Sequence, residues 1–261
     1  MADVAIPPNS KGVYFFTKRG GLAAHLGNIG SISITSTIRK SEDKMMKLNG
    51  IFACVSIGIL LGGCAYQVPV TANPDLNVYS SYSSKLPGTY ALYIAADSFS
   101  RTVKPTGIQC SVHSYPLDLQ MAFKDATVRT VQQLVENVRV VERPVSSDQL
   151  AAENLQGMIV IEADTMNATV QFIPGFFSVS ATSTVELSAN MSVDGLNGRL
   201  LGTAGDGEGN VEGDGGQFCA GGADVIANAS EKAMKKLLGE LGERLSNAPR
   251  LRVAGGINKQ G

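Results

Sequence analysis

The sequence predicts an α+β fold, an antiparallel sheet with two helices packed on one face, and three observations carry that reading. Apolar residues alternate along two long consecutive runs, Met158 to Phe172 and Val179 to Val193, as half-buried strands require. Apolar residues recur at helical spacing along two other stretches, residues 116–138 and 223–245. The second half of the chain lacks the strand-helix-strand rhythm of a parallel sheet. The economical layering therefore sets both helices on one side of an antiparallel sheet.

From Gly88 to Ala96, Tyr90, Leu92 and Ile94 alternate with Ala91, Tyr93 and Ala95, which reads as a strand buried on at least one face. A loop holding Pro105 and Cys110 comes next. After Pro116 a helix is expected to reach Val138, with Leu119, Phe123, Ala126, Leu134 and Val138 on one stripe and Lys124, Arg129 and Gln132 opposite. The run from Met158 changes phase midway. Ile159, Ile161 and Ala163 are its first apolar set and Met166, Ala168, Val170 and Phe172 its second, so a bulge is expected near Thr165. Pro174-Gly175 marks a tight turn. The next strand sets Val179, Ala181, Val185, Leu187, Ala189, Met191 and Val193 against Ser180, Thr182, Thr184, Glu186, Ser188 and Asn190. Gly195-Leu196-Asn197-Gly198 turns it back into a third strand, Arg199 to Thr203. A glycine-rich stretch then passes Cys219 into a final helix with Ile226, Ala229, Ala233, Leu237 and Leu241 on one face, ended by Asn247 and Pro249. One domain, 88–248, is thus expected. It lies between a flexible tether, 64–87, rich in Pro, Asn, Ser and Tyr, and a disordered tail, 249–261.

Ahead of the tether, residues 45–63 carry the regions of a secretory signal: Lys47, an apolar run from Ile51 to Leu61, then Gly62 and Gly63. The run is far shorter than the roughly 20 residues a spanning helix needs, so removal after export is expected. A start at Met45 or Met46 leaves 1–44 as a spurious N-terminal extension, Gly- and Ser-rich and without periodicity. Leu61-Gly62-Gly63-Cys64 resembles the bacterial lipobox. That resemblance implies lipidation of Cys64 by fatty acyl groups and cleavage just before it, giving a membrane anchor at the first residue of the mature protein. Ala65, rather than aspartate, follows the cysteine, and in that family the pattern implies the outer membrane, periplasmic face. The rival reading makes the apolar run a buried helix of a soluble chain, and the placement of Cys64 disfavours it.

From Cys64 onward there are 15 Lys and Arg against 20 Asp and Glu, a net charge of about −5. Such mild acidity favours neither nucleic acid nor an anionic lipid surface as partner. Cys54 leaves with the signal, so Cys110 and Cys219 are the remaining thiols in an oxidising compartment and are expected to form a disulfide. Closing a loop of roughly 110 residues would contribute about 4.7 kcal/mol in the chain-entropy model. Two separate buried thiols are the alternative.

Catalysis has little to work with. His113 is the only histidine after Cys64, and Ser111 and Ser114 beside it form no nucleophile motif. Glu162 and Asp164 share a strand face, as a glycosidase pair would, but a solvated face explains them as well. Asp206 to Asp214 sets an oxygen ligand at every second position. An EF-hand counted from Asp206 would need Gly and Glu where Val211 and Gln217 stand, so the segment reads instead as an edge strand with glycine on one face and charge on the other. No catalytic, metal or cofactor residue is assigned. Phe172, Ile173, Phe176 and Phe177 cluster at the Pro174-Gly175 turn, where a hairpin tip is normally polar. Phe172, Phe176 and Phe177 are therefore the candidate binding surface, with burial in the core as the alternative.

The long hairpin from Gly157, the run Gly209-Asn210-Val211-Glu212-Gly213 and the terminal helix resemble YajG-type bacterial lipoproteins, and in layout the LPS-assembly lipoprotein LptE. The resemblance implies an envelope protein that binds or assists other envelope proteins. The expected function is thus a non-enzymatic outer-membrane lipoprotein with a structural or assembly role. The alternative is a carrier or chaperone for a lipid or other apolar ligand, held in a cavity under Phe123 and Phe177.

Overall fold

The structure, a computed structural model, describes residues 65–71 and 78–257. The 1–44 extension, the 45–63 signal and Cys64 lie outside the described residues.

A strand that is apolar on both faces belongs inside a covered sheet, and β1 (Leu86–Ala95) sits there. Tyr90, Leu92 and Ile94 enter the main core, while Ala91 and Tyr93 meet Leu150, Leu155 and Met158 on the other side. Its neighbours are β5 (Val135–Val140) and β6 (Gly157–Pro174), and both run parallel to it. Beyond β6 come β7 (Val179–Gly195) and β8 (Gly198–Asp214), paired antiparallel in sequence order. A two-residue strand, β3 (Pro105–Thr106), lies parallel to the far end of β6. Separately, β2 (Ser100–Val103) pairs with β4 (Tyr115–Asp118).

The expected all-antiparallel sheet is therefore corrected to a mixed one, and the fold is mixed α/β. The expected pair of helices is also corrected, because the described residues form four: α1 (Gln120–Leu134), α2 (Ser147–Ala152), α3 (Gly221–Ser246) and α4 (Pro249–Ile257). The first helix stops at Leu134 because Val135 is extended, and there the chain enters β5. Only Val135 of β5 is buried, so its alternation is too faint to read, and Val138 falls by coincidence on the preceding helical stripe. Helix α2 starts at a capping box in which Ser146 and Gln149 exchange hydrogen bonds. It buries Leu150 beside Met158, on the face of the sheet opposite the main core.

The long hairpin has the expected phase change. Register shifts between Ala163 and Thr165, and beyond it Met166, Ala168, Val170 and Phe172 become the buried set. The third strand runs much further than Thr203. Along β8, Gly205, Gly207 and Gly209 are buried and alternate with exposed Asp206, Glu208 and Asn210. A Cβ at Gly207 would lie 2.0 Å from the Ala233 carbonyl, and at Gly209 1.9 Å from that of Ala229. Strand and helix α3 thus meet backbone to backbone. The free edge of β8 is also occupied: Arg244 donates to the Ala204 carbonyl at 2.5 Å, the Asp206 N–H donates to Glu240 at 2.9 Å, and Lys232 donates to the Asn210 carbonyl at 3.3 Å. These side chains consume groups that could otherwise pair with another strand.

Both ends of the expected domain need correction. The described parts of 64–87 are strapped to the domain rather than free: Tyr66, Val68 and Val70 pack against the core, and Thr71 donates to Glu231 at 2.7 Å. Further along, the Ser81 N–H donates to Asn247 at 2.7 Å, and the Arg252 guanidinium lies 3.7 Å from the centre of the Tyr82 ring. The segment expected to be a disordered tail begins with α4, where Leu251 is buried and its carbonyl accepts from the Tyr90 hydroxyl at 3.5 Å. Side-chain straps of this kind leave no periodicity in a sequence.

Candidate functional site

Strand direction brings four segments to one end of the sheet. β6 runs toward the 174–178 turn, and parallel β3 delivers the 107–113 loop to the same end. β8, antiparallel to β7, finishes there too, with Asp214 opposite Ser180 and the Gly215 N–H donating to Val179 at 2.7 Å. The fourth segment begins at Ala65, which is bridged parallel to Ser114. There the Tyr66 N–H donates to the Ser114 carbonyl at 2.9 Å. Because residues 65–68 run alongside β4 and away from the loop, Ala65 lies at this end.

The disulfide between Cys110 and Cys219 ties two of these segments together, with Cα atoms 6.0 Å apart. Cys110, Phe218 and Cys219 have φ of 60°, 53° and 69°, in the left-handed region that non-glycine residues seldom adopt. Surrounding contacts hold them there. The Tyr115 hydroxyl donates to the Cys219 carbonyl at 2.6 Å, and the Tyr66 hydroxyl donates to the Phe218 carbonyl at 2.9 Å. Burial, and then the neighbouring Tyr66, push the Tyr115 hydroxyl up to about 12. The rings stack in a column, Tyr66 on Tyr115 at 5.8 Å and Tyr115 on Phe172 at 6.3 Å. Gly222, in the first turn of α3, rests on the last two, since a Cβ there would stand 2.7 Å from each ring.

The three candidate phenylalanines separate. Phe172 is buried in that column, so its place in the binding surface is corrected: the first residue on the core side of the turn follows the inward alternation of β6. Phe176 and Phe177 are 92% and 94% exposed and pack edge to face on each other at 4.5 Å. Three further exposed apolar residues, not singled out from the sequence, stand on the neighbouring segments: Ile108 at 93%, Val112 at 72% and Phe218 at 82%. The signal that could have found them is charge. Residues 65–71, 107–114, 172–185 and 215–223 contain no Asp, Glu, Lys or Arg.

The other candidates stay apart from one another. His113 sits against the Tyr66 ring at 5.4 Å, and among the described residues no carboxylate or hydroxyl hydrogen-bonds its Nδ1. Glu162 and Asp164 are both exposed, and Asp164 occupies the bulge, where Ser188 donates to it at 3.4 Å. Asp206 to Asp214 lies within β8 rather than in a loop that could wrap a cation. Cys64 lies outside the described residues. The expected chamber under Phe123 and Phe177 is corrected as well. Phe123 is buried edge-on against Phe99 at 4.8 Å, whereas Phe177 is in solvent. Among the described residues, the space between α1, α3 and the sheet is a void of about 10 Å³ beside Thr130, Ile161 and Leu241, scarcely room for one water.

No family model matches the chain, and no curated protein matches it. Among solved structures, it is similar to protein XCC0632 of Xanthomonas campestris, family-model DUF330, at 14% identity and a TM-score of 0.37, over 76% of this chain and 100% of that one. It is similar to a putative neuraminyllactose-binding hemagglutinin homolog from Helicobacter pylori at 9% identity and a TM-score of 0.39, over 75% and 97%. It is also similar to the hypothetical protein CT253 of Chlamydia trachomatis at 10% identity and a TM-score of 0.36, over 62% and 97%. Likenesses of this depth assign no activity to the chain.

Proposed function

We propose that this protein is a non-enzymatic lipoprotein of the bacterial cell envelope, lipidated at Cys64 and held on the periplasmic face of the outer membrane. Its role there is structural or assembly-related, through binding other envelope proteins. The observation that carries the reading is Leu61-Gly62-Gly63-Cys64 at the end of a charged and then apolar signal. The Cys110–Cys219 bond supports it, since disulfides persist in exported rather than cytosolic proteins. Less support falls to the carrier alternative, because among the described residues the void between α1, α3 and the sheet measures only about 10 Å³. Mass spectrometry of the membrane fraction tests the anchor. The mature protein should begin at Cys64 and carry acyl mass, and Cys64→Ser should lose both the mass and membrane retention. An unmodified, uncleaved chain in the soluble fraction would end the proposal.

A further inference from the structure

We infer that the disulfide end of the domain is a membrane-docking face, on which Ile108, Phe176, Phe177 and Phe218 enter the leaflet that holds the Cys64 acyl chains. The inference deepens the lipoprotein reading and rests on it. Three independent observations converge. The four side chains come from three separate segments, are between 82% and 94% exposed, and stand at one end of the sheet. The runs 65–71, 107–114, 172–185 and 215–223 that carry or adjoin these side chains hold no Asp, Glu, Lys or Arg, in a chain whose charged residues make up 17%, while exposed Asp214 closes β8 beside them. Finally, the described start of the expected tether is docked here: Ala65, the residue that follows Cys64 in the sequence, is bridged to Ser114, and Tyr66 is bonded to Phe218.

The chemistry of the occupant follows from those facts. A phosphate or an anionic partner would need a cation here, and none is present in these segments. A headgroup-independent apolar phase needs only what the surface offers: aromatic and aliphatic side chains on a frame made rigid by the disulfide and the tyrosine column. Acyl chains on Cys64 would hold that frame against the bilayer. Each ring that enters then adds to the anchor, because burying a Phe side chain is worth about 1.5–3 kcal/mol, or roughly tenfold or more in partition.

The chain has no tryptophan, so single Trp substitutions are clean reporters. The full chain with Phe177→Trp, Phe218→Trp or, at the opposite hairpin, Leu196→Trp is purified as the lipoprotein and reconstituted into phosphatidylethanolamine and phosphatidylglycerol vesicles containing brominated lipid. The indole fluorescence of Phe177→Trp and Phe218→Trp should shift to the blue and quench severalfold more than that of Leu196→Trp, equally with and without phosphatidylglycerol. In a Cys64→Ser background, residual vesicle partition should fall about tenfold for each ring replaced by serine. All these positions are solvent-exposed, and circular dichroism verifies that each variant folds. If the protein carries acyl mass and floats with vesicles while Phe177→Trp and Phe218→Trp quench no more than Leu196→Trp, the docking face is refuted and the anchor stands. If acyl mass is missing, the lipoprotein reading fails and takes this inference with it. A blue shift that appears without vesicles and grows with protein concentration would assign the face to a second copy, which also overturns it.

Discussion

Replacing Gly209 with alanine should separate the longest helix from the sheet. A Cβ there would stand 1.9 Å from the Ala229 carbonyl and 2.8 Å from the Ala233 nitrogen, whereas real Cβ atoms essentially never approach closer than 3.0 Å. The shortfall against the carbonyl is about 1.1 Å. Because the obstacle is backbone, no side-chain rotation relieves it, and trimming Ala229 to glycine would only add the helix penalty of about 1 kcal/mol. Helix α3 must therefore retreat, and a gap of 0.5–1 Å forfeits roughly a quarter to a half of each dispersion contact it opens. Ala229, Ala233, Leu237 and Leu241, all buried along that contact, lose part of their packing. Overpacking typically costs about 1–3 kcal/mol, and a clash with backbone belongs at the upper end, near 3 kcal/mol. In a domain of this size that lowers the melting temperature by about 6–12 °C. Gly202 on the same strand is the control: a Cβ there meets only the Arg199 side chain at 3.6 Å, so Gly202→Ala should match or slightly exceed wild type. Urea and thermal unfolding by circular dichroism, with the disulfide intact, measure both. A Gly209→Ala protein that melts with wild type would show that α3 does not lie on the β8 backbone.

Stability should fall in alkali. The Tyr115 hydroxyl is pushed up to about 12 by burial and by Tyr66, against 10.0 when unperturbed, and burial pushes Tyr90 upward as well. Between those values the unfolded chain loses a proton that the native state keeps, so the stabilisation is complete below about pH 10 and drains away as pH rises through about 12. Urea midpoints taken across that window should slope downward, and Tyr115→Phe should flatten part of the slope; an unchanged slope would place the effect elsewhere. Replacing Cys110 with serine should cost about 2–5 kcal/mol, read as a lower urea midpoint, and alkylation should label neither Cys110 nor Cys219 in the native wild-type protein before reduction. Rapid labelling without a reductant would refute the bridge.

Much of the fold was legible because local chemistry repeats it. Alternation marked β6 and β7, the phase change at Thr165 marked the bulge, and the Ala229, Ala233, Leu237 and Leu241 stripe marked α3. Leu61-Gly62-Gly63-Cys64 and the pair Cys110 and Cys219 were likewise visible as residues, without any tertiary context. β5 and α2 were not. The first is an edge strand that buries one side chain, and the second is a single capped turn and a half, so neither accumulates a readable period.

Tertiary contact alone decided the rest. Whether β1 pairs parallel or antiparallel depends on where β5 and β6 return to it, which no run of side chains encodes locally. Phe172 and Phe177 sit five positions apart with opposite fates, because the ring of Tyr115 covers one while the other, packed on Phe176 at its edge, stays 94% exposed. Four uncharged segments scattered over more than a hundred residues form one surface only after strand direction, a disulfide and two tyrosine hydroxyls draw them together. Composition set the chemistry of that surface, and long-range pairing set its existence.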